Sequence, residues 1–296
     1  MEIKGSLIKE LREMTSAGML DCKKALTECN GDMAAAVDWL RQKGIAKAGK
    51  KSSRIAAEGL TKIAISGNRA CLVEVNSETD FVAKNEQFLK LVGDITNALL
   101  NANPATLEEA LQVDMNGQTI EAAVTSATAT IGEKIALRRF EIMTKEDKDI
   151  FGDYIHMGGK ISTCVILKDC DNEEVAHDLA MQIASMNPTF ISRDDMDPTF
   201  IEKERTIQLE VLKNDESLAG KPENVLLGIV EGRLSKSLQE MCLVDQIYFK
   251  DPGLKISEYL KQAKTSVVCF VRYAVGEGIE KREENFADEV AKITAV

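Results

Sequence analysis

The residues best suited to chemistry lie in the stretch 76–84, which reads NSETDFVAK. This stretch connects a strand-like apolar run to an amphipathic, helix-like run, and such connections usually need only about 2–6 residues, most of them polar. Here the connection is longer, and its tip places Phe81 and Val82 directly after the carboxylate of Asp80. Two interpretations follow. Either the tip covers the protein's own sheet as a lid, or it is a contact for another protein.

Other candidate catalytic or metal-binding residues are few. The chain has only two histidines, and His156 has no evident nucleophile or orienting carboxylate beside it, so a structural role and a role as a base both stay open. The acidic run 194–197, DDMD, lacks the remaining ligands of a calcium loop and is better explained as a solvated helix start. The common nucleotide-binding and hydrolase motifs are missing from the sequence. We therefore expect no enzyme, no cofactor and no metal site.

Composition and charge narrow the class of protein further. The seven cysteines form no C-x-x-C pair, which favours free thiols in a reducing cytosol. No apolar run reaches the roughly 18 residues of a membrane span, and the first residues lack the pattern of a signal peptide. The net charge of −11 argues against a large nucleic-acid surface. We therefore expect a cytoplasmic protein that binds neither membrane nor nucleic acid. The Lys-rich segment Lys43–Arg54 is expected to be a solvated linker, with an RNA contact as its alternative role.

The elements that position these residues begin with a helical bundle. Apolar residues of 3–14 recur at spacings of three and four, which predicts one face of a helix. Asp21 is a plausible N-cap for a second helix, and Asp32 caps a third helix that is expected to end at Gly44. Three short helices of this kind predict a compact bundle of about 45 residues.

The middle of the chain contains a weak internal repeat at an offset of about 93 residues. Each copy predicts a β-hairpin followed by a helix, and a third strand is available to each, at 134–142 and 266–275. The predicted fold is therefore α+β, with two small antiparallel sheets covered by helices. The second copy passes from strand to helix in about three residues and the first in about nine. The excess of about six residues in the first copy includes the tip, so the tip is not needed to make the turn.

Residues 197–240 predict two antiparallel helices with narrow apolar stripes, which form an arm rather than a core. The arm is either a structural hairpin or a surface for a partner or a second copy, so a homodimer through the arm or the core stays open. The predicted domains are a helical module with its basic linker at 1–55, a core N-subdomain at 56–143, a core C-subdomain with the arm at 144–275, and a C-terminal helical module at 276–296.

Three segments of the sequence carry a family resemblance. They read LREMTSAGMLDCKKALTECNGD, EVNSETDFVAKNEQF and VGEGIEKREENFADEV, and their order and spacing cover the whole chain. They resemble the bacterial elongation factor Ts family, the guanine nucleotide exchange factors for elongation factor Tu. The first segment departs slightly, with T-S-A-G at 15–18 where the family usually has T-G-A-G. The resemblance implies a ubiquitin-associated-like helical module, a linker, a two-part α+β core, a helical-hairpin arm and a C-terminal module.

The resemblance also implies how the tip is used. In the family, a T-D-F-V loop disturbs the Mg²⁺ site of the partner GTPase. Here the matching residues are Thr79, Asp80, Phe81 and Val82, with Asp80 and Phe81 as the disruptors. Such a factor promotes release of GDP and rebinding of GTP without chemistry of its own.

Further partner contacts follow from the same resemblance. Met19 and Leu20, in the loop after the first helix, are candidate contacts of the helical module. His156 falls at a family histidine position near the partner's nucleotide-binding loop, and Phe286 anchors the tail helix to the partner or to the core. Two rival functions rank behind the exchange factor. The second-ranked function is an interaction module whose N-terminal bundle binds a peptide or a ubiquitin-like protein, and the third-ranked function is an enzyme.

Overall fold

The computed structural model describes residues 3–15, 17–214 and 222–280. The chain forms two compact units. The first unit comprises Met1–Met143, Ile155–Ser162 and Tyr273–Val296, and the second comprises Thr144–Tyr154 and Thr163–Arg272. Each unit combines helices with small antiparallel sheets, which confirms the predicted α+β class. The predicted domain bounds remain predictions.

The helices are α1 (Gly5–Thr15), α2 (Met19–Glu28), α3 (Met33–Lys51), α4 (Glu86–Ala102), α5 (Leu107–Gln112), α6 (Ile120–Ile131), α7 (Glu173–Met186), α8 (Pro198–Lys213), α9 (Glu223–Met241) and α10 (Ile256–Gln262). The strands are β1 (Glu58–Ser66), β2 (Arg69–Ser77), β3 (Asp114–Met115), β4 (Gln118–Thr119), β5 (Ala136–Thr144), β6 (Ile150–His156), β7 (Ile161–Leu167), β8 (Ile247–Tyr248), β9 (Asp251–Lys255) and β10 (Val267–Ala274).

The first three helices share a small core. Leu11 of α1 is fully buried against Leu26 of α2 and Ala36 of α3. The carboxylate of Asp32 accepts the backbone N–H of Ala35 at 2.9 Å, so the predicted cap of the third helix is confirmed. The cap predicted at Asp21 is wrong. Helix α2 begins at Met19 with Gly18 as its N-cap, which puts Asp21 in the first turn, where a negative charge favours the helix dipole.

The prediction that the third helix ends at Gly44 is wrong, because α3 continues to Lys51. A Cβ on Gly44 would lie 2.9 Å from the Cβ of Ala129 in α6. The glycine therefore permits close approach of two helices rather than ending one of them. Most of the segment Lys43–Arg54, predicted as a solvated linker, is accordingly helical. Two of its cations also contact the protein, since Lys51 donates to the carbonyl of Gly132 and Arg54 pairs with a glutamate in the β2–α4 loop.

The first sheet has the strand order β1-β2-β5, so the third strand predicted at 134–142 is confirmed. Strands β1 and β2 pair antiparallel from Glu58–Ser77 to Ser66–Arg69, and Ala70–Ser77 of β2 is buried throughout. Helix α4 covers this sheet with its buried face, which includes Phe88, Val92, Ile95 and Leu99. Helices α5 and α6 and the small β3–β4 hairpin were not predicted from the sequence, although α6 adds buried residues to the same core.

The second sheet has the order β10-β7-β6, which confirms the strand predicted at 266–275. Helix α7 follows β7 as α4 follows β2, so the internal repeat is a repeat of hairpin plus helix. Both helices end at an asparagine in the left-handed conformation, Asn103 and Asn187. The N-cap of α7 is Asn172. Its side chain accepts the backbone N–H groups of Glu174 and Val175 at 3.0 and 3.2 Å.

The two strand-to-helix connections differ less in length than predicted. Eight residues, 78–85, separate β2 from α4, whereas five residues, 168–172, separate β7 from α7. The excess is therefore three residues rather than about six. Part of the longer loop forms a 3-10 turn at Val82–Lys84, so the loop is structured rather than merely extended.

Within the second unit, helices α8 and α9 pack along each other at their inner ends. Leu234 and Leu238 of α9 form a small core with Met196 and Cys242, and Phe200 of α8 packs on it. Arg205 of α8 lies 3.3 Å from Glu231 of α9. The connection between these helices includes residues 215–221, which lie outside the described part of the chain, so the predicted arm remains a prediction.

Strand β6 lies so close to α7 that its glycine cannot be replaced without movement. A Cβ on Gly152 would lie 2.0 Å from the carbonyl oxygen of Ala176. We expect Gly152→Ala to lower the free energy of unfolding by about 1–3 kcal/mol or more, because the helix must shift away from the sheet. Denaturant unfolding of the full-length chain measures this effect. The matched control is Gly232→Ala in α9, where the added Cβ meets open space and a small stabilisation is expected. Equal stability of the two variants would contradict the close packing.

Candidate functional site

The loop between β2 and α4 presents one aromatic ring to solvent. Phe81 is 79% exposed, and its backbone is helical, with φ −65° and ψ −44°. Its carbonyl accepts the N–H of Lys84 at 3.2 Å, which begins the 3-10 turn. A phenylalanine this exposed gains little from its own fold, because most of the free energy of apolar burial is not realised. The interpretation of this ring as a lid on the protein's own sheet is therefore wrong.

Val82 behaves in the opposite way. It is 8% exposed and belongs, with Ala83, to the hydrophobic core of the first unit. The apolar pair at the tip is thus divided, with one side chain outside and the next one inside. Val82 therefore anchors the loop to its own core. At the end of the loop, Asn85 caps α4 by accepting the N–H groups of Gln87 and Phe88 at 2.8 and 3.3 Å.

Thr79 is held by a carboxylate that the sequence did not reveal as part of the site. Its backbone N–H and its hydroxyl donate to the two carboxylate oxygens of Glu133, at 2.9 and 2.7 Å. Glu133 lies 54 positions further along the chain, just before β5. The only local signal is Gly132, a left-handed glycine that ends α6 and turns the following charged residues toward the loop.

Asp80 is the charged neighbour of the exposed ring. Its carboxylate pairs with Lys84 at 3.1 Å, and the two side chains are 48% and 74% exposed. Exposed pairs of this kind contribute about 0–1 kcal/mol, so little free energy opposes the exchange of Lys84 for another partner. Asp80 and Phe81 therefore form an apex at which a carboxylate and an aromatic ring are both available for contact.

The other predicted contacts lie on separate elements. Met19 and Leu20 are 59% and 84% exposed, and they occupy the first turn of α2 rather than the preceding loop. His156 is exposed at the end of β6, and its carbonyl accepts the N–H groups of Gly159 and Lys160, both at 3.1 Å. Phe286 lies outside the described residues, as does the rest of the predicted C-terminal module beyond residue 280.

The turn that carries His156 is fixed to the first sheet. The N–H and the hydroxyl of Thr61 in β1 both donate to the carbonyl of Gly159, at 2.7 and 2.9 Å. Met157, next to the histidine, is 73% exposed. The turn therefore carries two exposed residues in succession, His156 and Met157, close to a glycine that β1 holds.

The cysteine thiols have the surroundings of structural residues rather than reactive ones. All seven cysteines are free, and burial raises the pKa of Cys71 to about 12, with a smaller contribution from Glu141 in the same direction. Such a thiol is protonated near neutral pH and is a poor nucleophile.

In the stretches 3–15, 17–214 and 222–280, no group of three or more His, Cys, Asp or Glu side chains has the arrangement of a metal site. No helix in these stretches is long and apolar enough to cross a membrane.

A largely exposed aromatic ring and a half-exposed carboxylate lie together on a loop that is held by its own core and by a distant glutamate, an arrangement typical of proteins that act by contacting another protein. The comparisons with known proteins identify the family. A family model described as "Elongation factor TS" matches residues 78–277. The protein named "Elongation factor Ts" of Acholeplasma laidlawii (strain PG-8A) is 53% identical over 291 residues, which cover 98% of each chain. The chain therefore belongs to the elongation factor Ts family of protein biosynthesis, and the resemblance seen in the sequence is confirmed.

Proposed function

We propose that this protein is a guanine nucleotide exchange factor for the GTPase elongation factor Tu. It binds the GDP-loaded GTPase, disturbs its Mg²⁺ site with the loop Thr79–Val82, promotes GDP release and so permits GTP to bind. Membership of the elongation factor Ts family supports the exchange role. The observation that carries the loop mechanism is the 79% exposure of Phe81 beside Asp80, on a loop whose two ends are fixed.

The physical requirement on such a factor is a difference in affinity. A GTPase holds GDP through backbone donors around the phosphates and through Mg²⁺ that bridges to them. The factor must bind the empty GTPase more tightly than the loaded one. Linkage then requires that the nucleotide bind the complex more weakly than the free GTPase by the same factor. The exchange factor needs no reactive group for this, and no cofactor.

In the proposed mechanism Phe81 enters an apolar cleft between helices of the GTPase and separates them. Asp80 leaves Lys84 and competes for the water shell or the carboxylate ligands of Mg²⁺. Burial of a phenylalanine supplies about 1.5–3 kcal/mol, which is a ten- to hundredfold effect. Larger accelerations need further contacts, which we assign to Met19 and Leu20.

Two further contacts complete the proposed footprint. We assign them to His156 with its exposed neighbour Met157, and to Phe286. The layout proposed with this mechanism is the family's: α1–α3 as a ubiquitin-associated-like module, a helical arm at 197–240, and a C-terminal module at 276–296. The protein is proposed to act in the cytoplasm without binding nucleic acid directly. Assembly into a homodimer through the arm or the core remains open.

The competing function is an interaction module that binds a partner without accelerating exchange. Stopped-flow release of fluorescent GDP from elongation factor Tu, mixed with increasing concentrations of the full-length chain, separates the two. We expect the release rate to rise with concentration and to saturate. Saturable binding with the release rate of the GTPase alone would instead support the interaction module.

A further inference from the structure

Two glutamates hold the loop at 78–85 from opposite directions. Glu133, at the junction of α6 and β5, holds Thr79, while Glu78 in the loop holds Lys134 of that junction. We infer that this reciprocal pair, the Glu78–Glu133 clasp, fixes the loop in its outward conformation before a partner binds, and that Glu133 is a positioning residue for Phe81. The inference rests on the exchange function proposed above and adds to it the contacts that prepare the loop.

The Glu133 half of the clasp uses both oxygens of one carboxylate. The backbone N–H of Thr79 donates to Oε2 at 2.9 Å, and its hydroxyl donates to Oε1 at 2.7 Å. Hydrogen bonds to an ionised acceptor are roughly twice as strong as neutral ones. Both residues are half-buried, so water competes only partly for these groups. The backbone is thereby fixed one residue before Asp80.

The Glu78 half of the clasp ties the loop to two neighbours. Its Oε1 accepts the backbone N–H of Lys134 at 2.6 Å, and its carboxylate lies 3.2–3.3 Å from Nη1 of Arg54. The ammonium of Lys134 in turn donates to the carbonyl of Arg54 at 2.8 Å. Arg54 follows α3, so the clasp joins the loop, the α6–β5 junction and the end of the helical module within the first unit.

The far end of the loop is fixed independently. Val82 lies in the core, and Asn85 caps α4. Between the two fixed ends only Asp80 and Phe81 remain, and they are the two residues that the proposed mechanism uses. Loss of the Glu133 contacts would leave this end of the loop held only by Glu78 and by the Ser77 hydroxyl, which donates to the carbonyl of Thr79 at 3.0 Å. The loosened loop would add conformations in which the ring points elsewhere. The apparent affinity for a partner then falls in proportion to the fraction of molecules that hold the binding conformation.

Glu133→Ala tests this role by its kinetic signature. The ring and the carboxylate of the apex are unchanged in this variant, so the maximal rate of GDP release at saturation should stay within about twofold of wild type. The concentration of exchange factor that gives half of this rate should rise roughly five- to tenfold, because fewer molecules are competent to bind. Phe81→Ala should show the opposite pattern, with a lower maximal rate. The matched control is Glu121→Gln, a carboxylate on α6 that accepts from Gln112 at 3.1 Å, and it should behave as wild type.

A measurement without the partner isolates the clasp from the exchange function. The chain has one tryptophan, Trp39, so Phe81→Trp in a Trp39→Phe background places the only indole at the apex. Time-resolved anisotropy of that indole reports motion of the loop on the nanosecond timescale. We expect Glu133→Ala to increase the amplitude of this local motion clearly, Glu133→Gln to increase it less because one acceptor oxygen remains, and Glu121→Gln to leave it unchanged.

Each outcome bears on one of the two proposals. The same anisotropy decay with and without Glu133 would overturn the clasp, whatever the exchange assay shows. A reduced maximal rate with an unchanged half-saturating concentration would also overturn it, because Glu133 would then act on the partner directly. Unchanged GDP release in Phe81→Ala would instead remove the loop mechanism, while the anisotropy result would still decide whether the clasp orders the loop. Melting temperatures of all variants show whether the fold itself is intact.

Discussion

Phe81→Ala should lower the maximal rate of GDP release from elongation factor Tu by roughly ten- to hundredfold, which is the free energy of burying one phenylalanine expressed as a rate. The ring is 79% exposed in the free protein, so its removal costs the fold almost nothing. The whole loss should therefore fall on the complex. Stopped-flow release of fluorescent GDP at saturating exchange factor measures it, and thermal unfolding shows that stability is retained.

Asp80→Ala should lower the maximal rate of GDP release by a smaller factor than Phe81→Ala does. The double variant Asp80→Ala/Phe81→Ala should lose most of the acceleration. The chain supplies a matched control for each change. Asp94 pairs with Lys90 at i,i+4 on α4 as Asp80 pairs with Lys84, and Ile65 is an exposed apolar side chain at the end of β1. With Asp94→Ala or Ile65→Ala, GDP should leave elongation factor Tu as fast as it does with the wild-type chain. A loss in the controls as large as that in the apex variants would show that general surface changes, rather than the apex, decide the rate.

Glu74→Ala should have the largest effect on stability. Glu74 in β2 is fully buried, and its carboxylate accepts from Arg138 at 2.9 Å, Arg139 at 2.6 Å and the N–H of Gly276 at 2.8 Å. Its removal leaves the partly buried guanidinium of Arg138 without this carboxylate and that of Arg139 with only the longer contact to Glu277, at 3.6 Å. We expect the free energy of unfolding to fall by roughly 2–4 kcal/mol, because breaking one side of a buried ion pair leaves the other charge uncompensated. Urea unfolding of the full-length chain measures this loss.

The control for Glu74 is a carboxylate of the same sheet that faces solvent. Glu141 lies on β5 and is exposed, so Glu141→Ala should change the free energy of unfolding by less than about 0.5 kcal/mol. If both variants lost the same small amount, the network around Glu74 would contribute no more than a surface charge does.

The same network gives the stability a pH dependence of definite sign. Burial alone would raise the pKa of Glu74, but the hydrogen bonds from Gly276, Arg138, Arg139 and Asn76 outweigh burial and hold its pKa below the usual value. The unfolded chain therefore takes up this proton more readily than the folded one. The stabilisation is complete above the ordinary glutamate pKa of about 4.3 and is lost as the pH falls below it, through the lower pKa of the folded state. Unfolding free energies measured between about pH 6 and pH 3 should fall less steeply for Glu74→Gln than for wild type. Parallel curves would contradict this assignment.

The parts of the fold that the sequence predicted correctly are those set by local pattern. The hairpins, the helices that follow them and the third strand of each sheet were predicted from apolar alternation and glycine turns, and the structure confirms them. The errors arise where a distant contact overrides a local preference. Gly44 resembles a helix stop, yet it lies inside α3 because α6 packs against it. Helix α6, IEAAVTSATATI, is rich in alanine and threonine, and its apolar periodicity is too weak to stand out.

The candidate site also depends on contacts that local sequence pattern does not reveal. The sequence identified the apex, but it could not decide which of two adjacent apolar residues is buried, since both occupy one irregular loop. The 3-10 turn that begins after Phe81 directs Val82 inward and leaves the ring outside. Glu133 was not predicted at all, because it lies 54 positions from Thr79 and only the fold brings them together.

The most direct test of the proposed mechanism is an equilibrium one. The affinity of the full-length chain is measured for nucleotide-free and for GDP-loaded elongation factor Tu, with wild type and with the Asp80→Ala/Phe81→Ala variant. We predict that wild type strongly prefers the empty GTPase and that the variant loses at least about tenfold of this preference, because the apex acts only where nucleotide and Mg²⁺ compete with it. The same preference in both proteins would contradict the claim that this apex displaces the nucleotide.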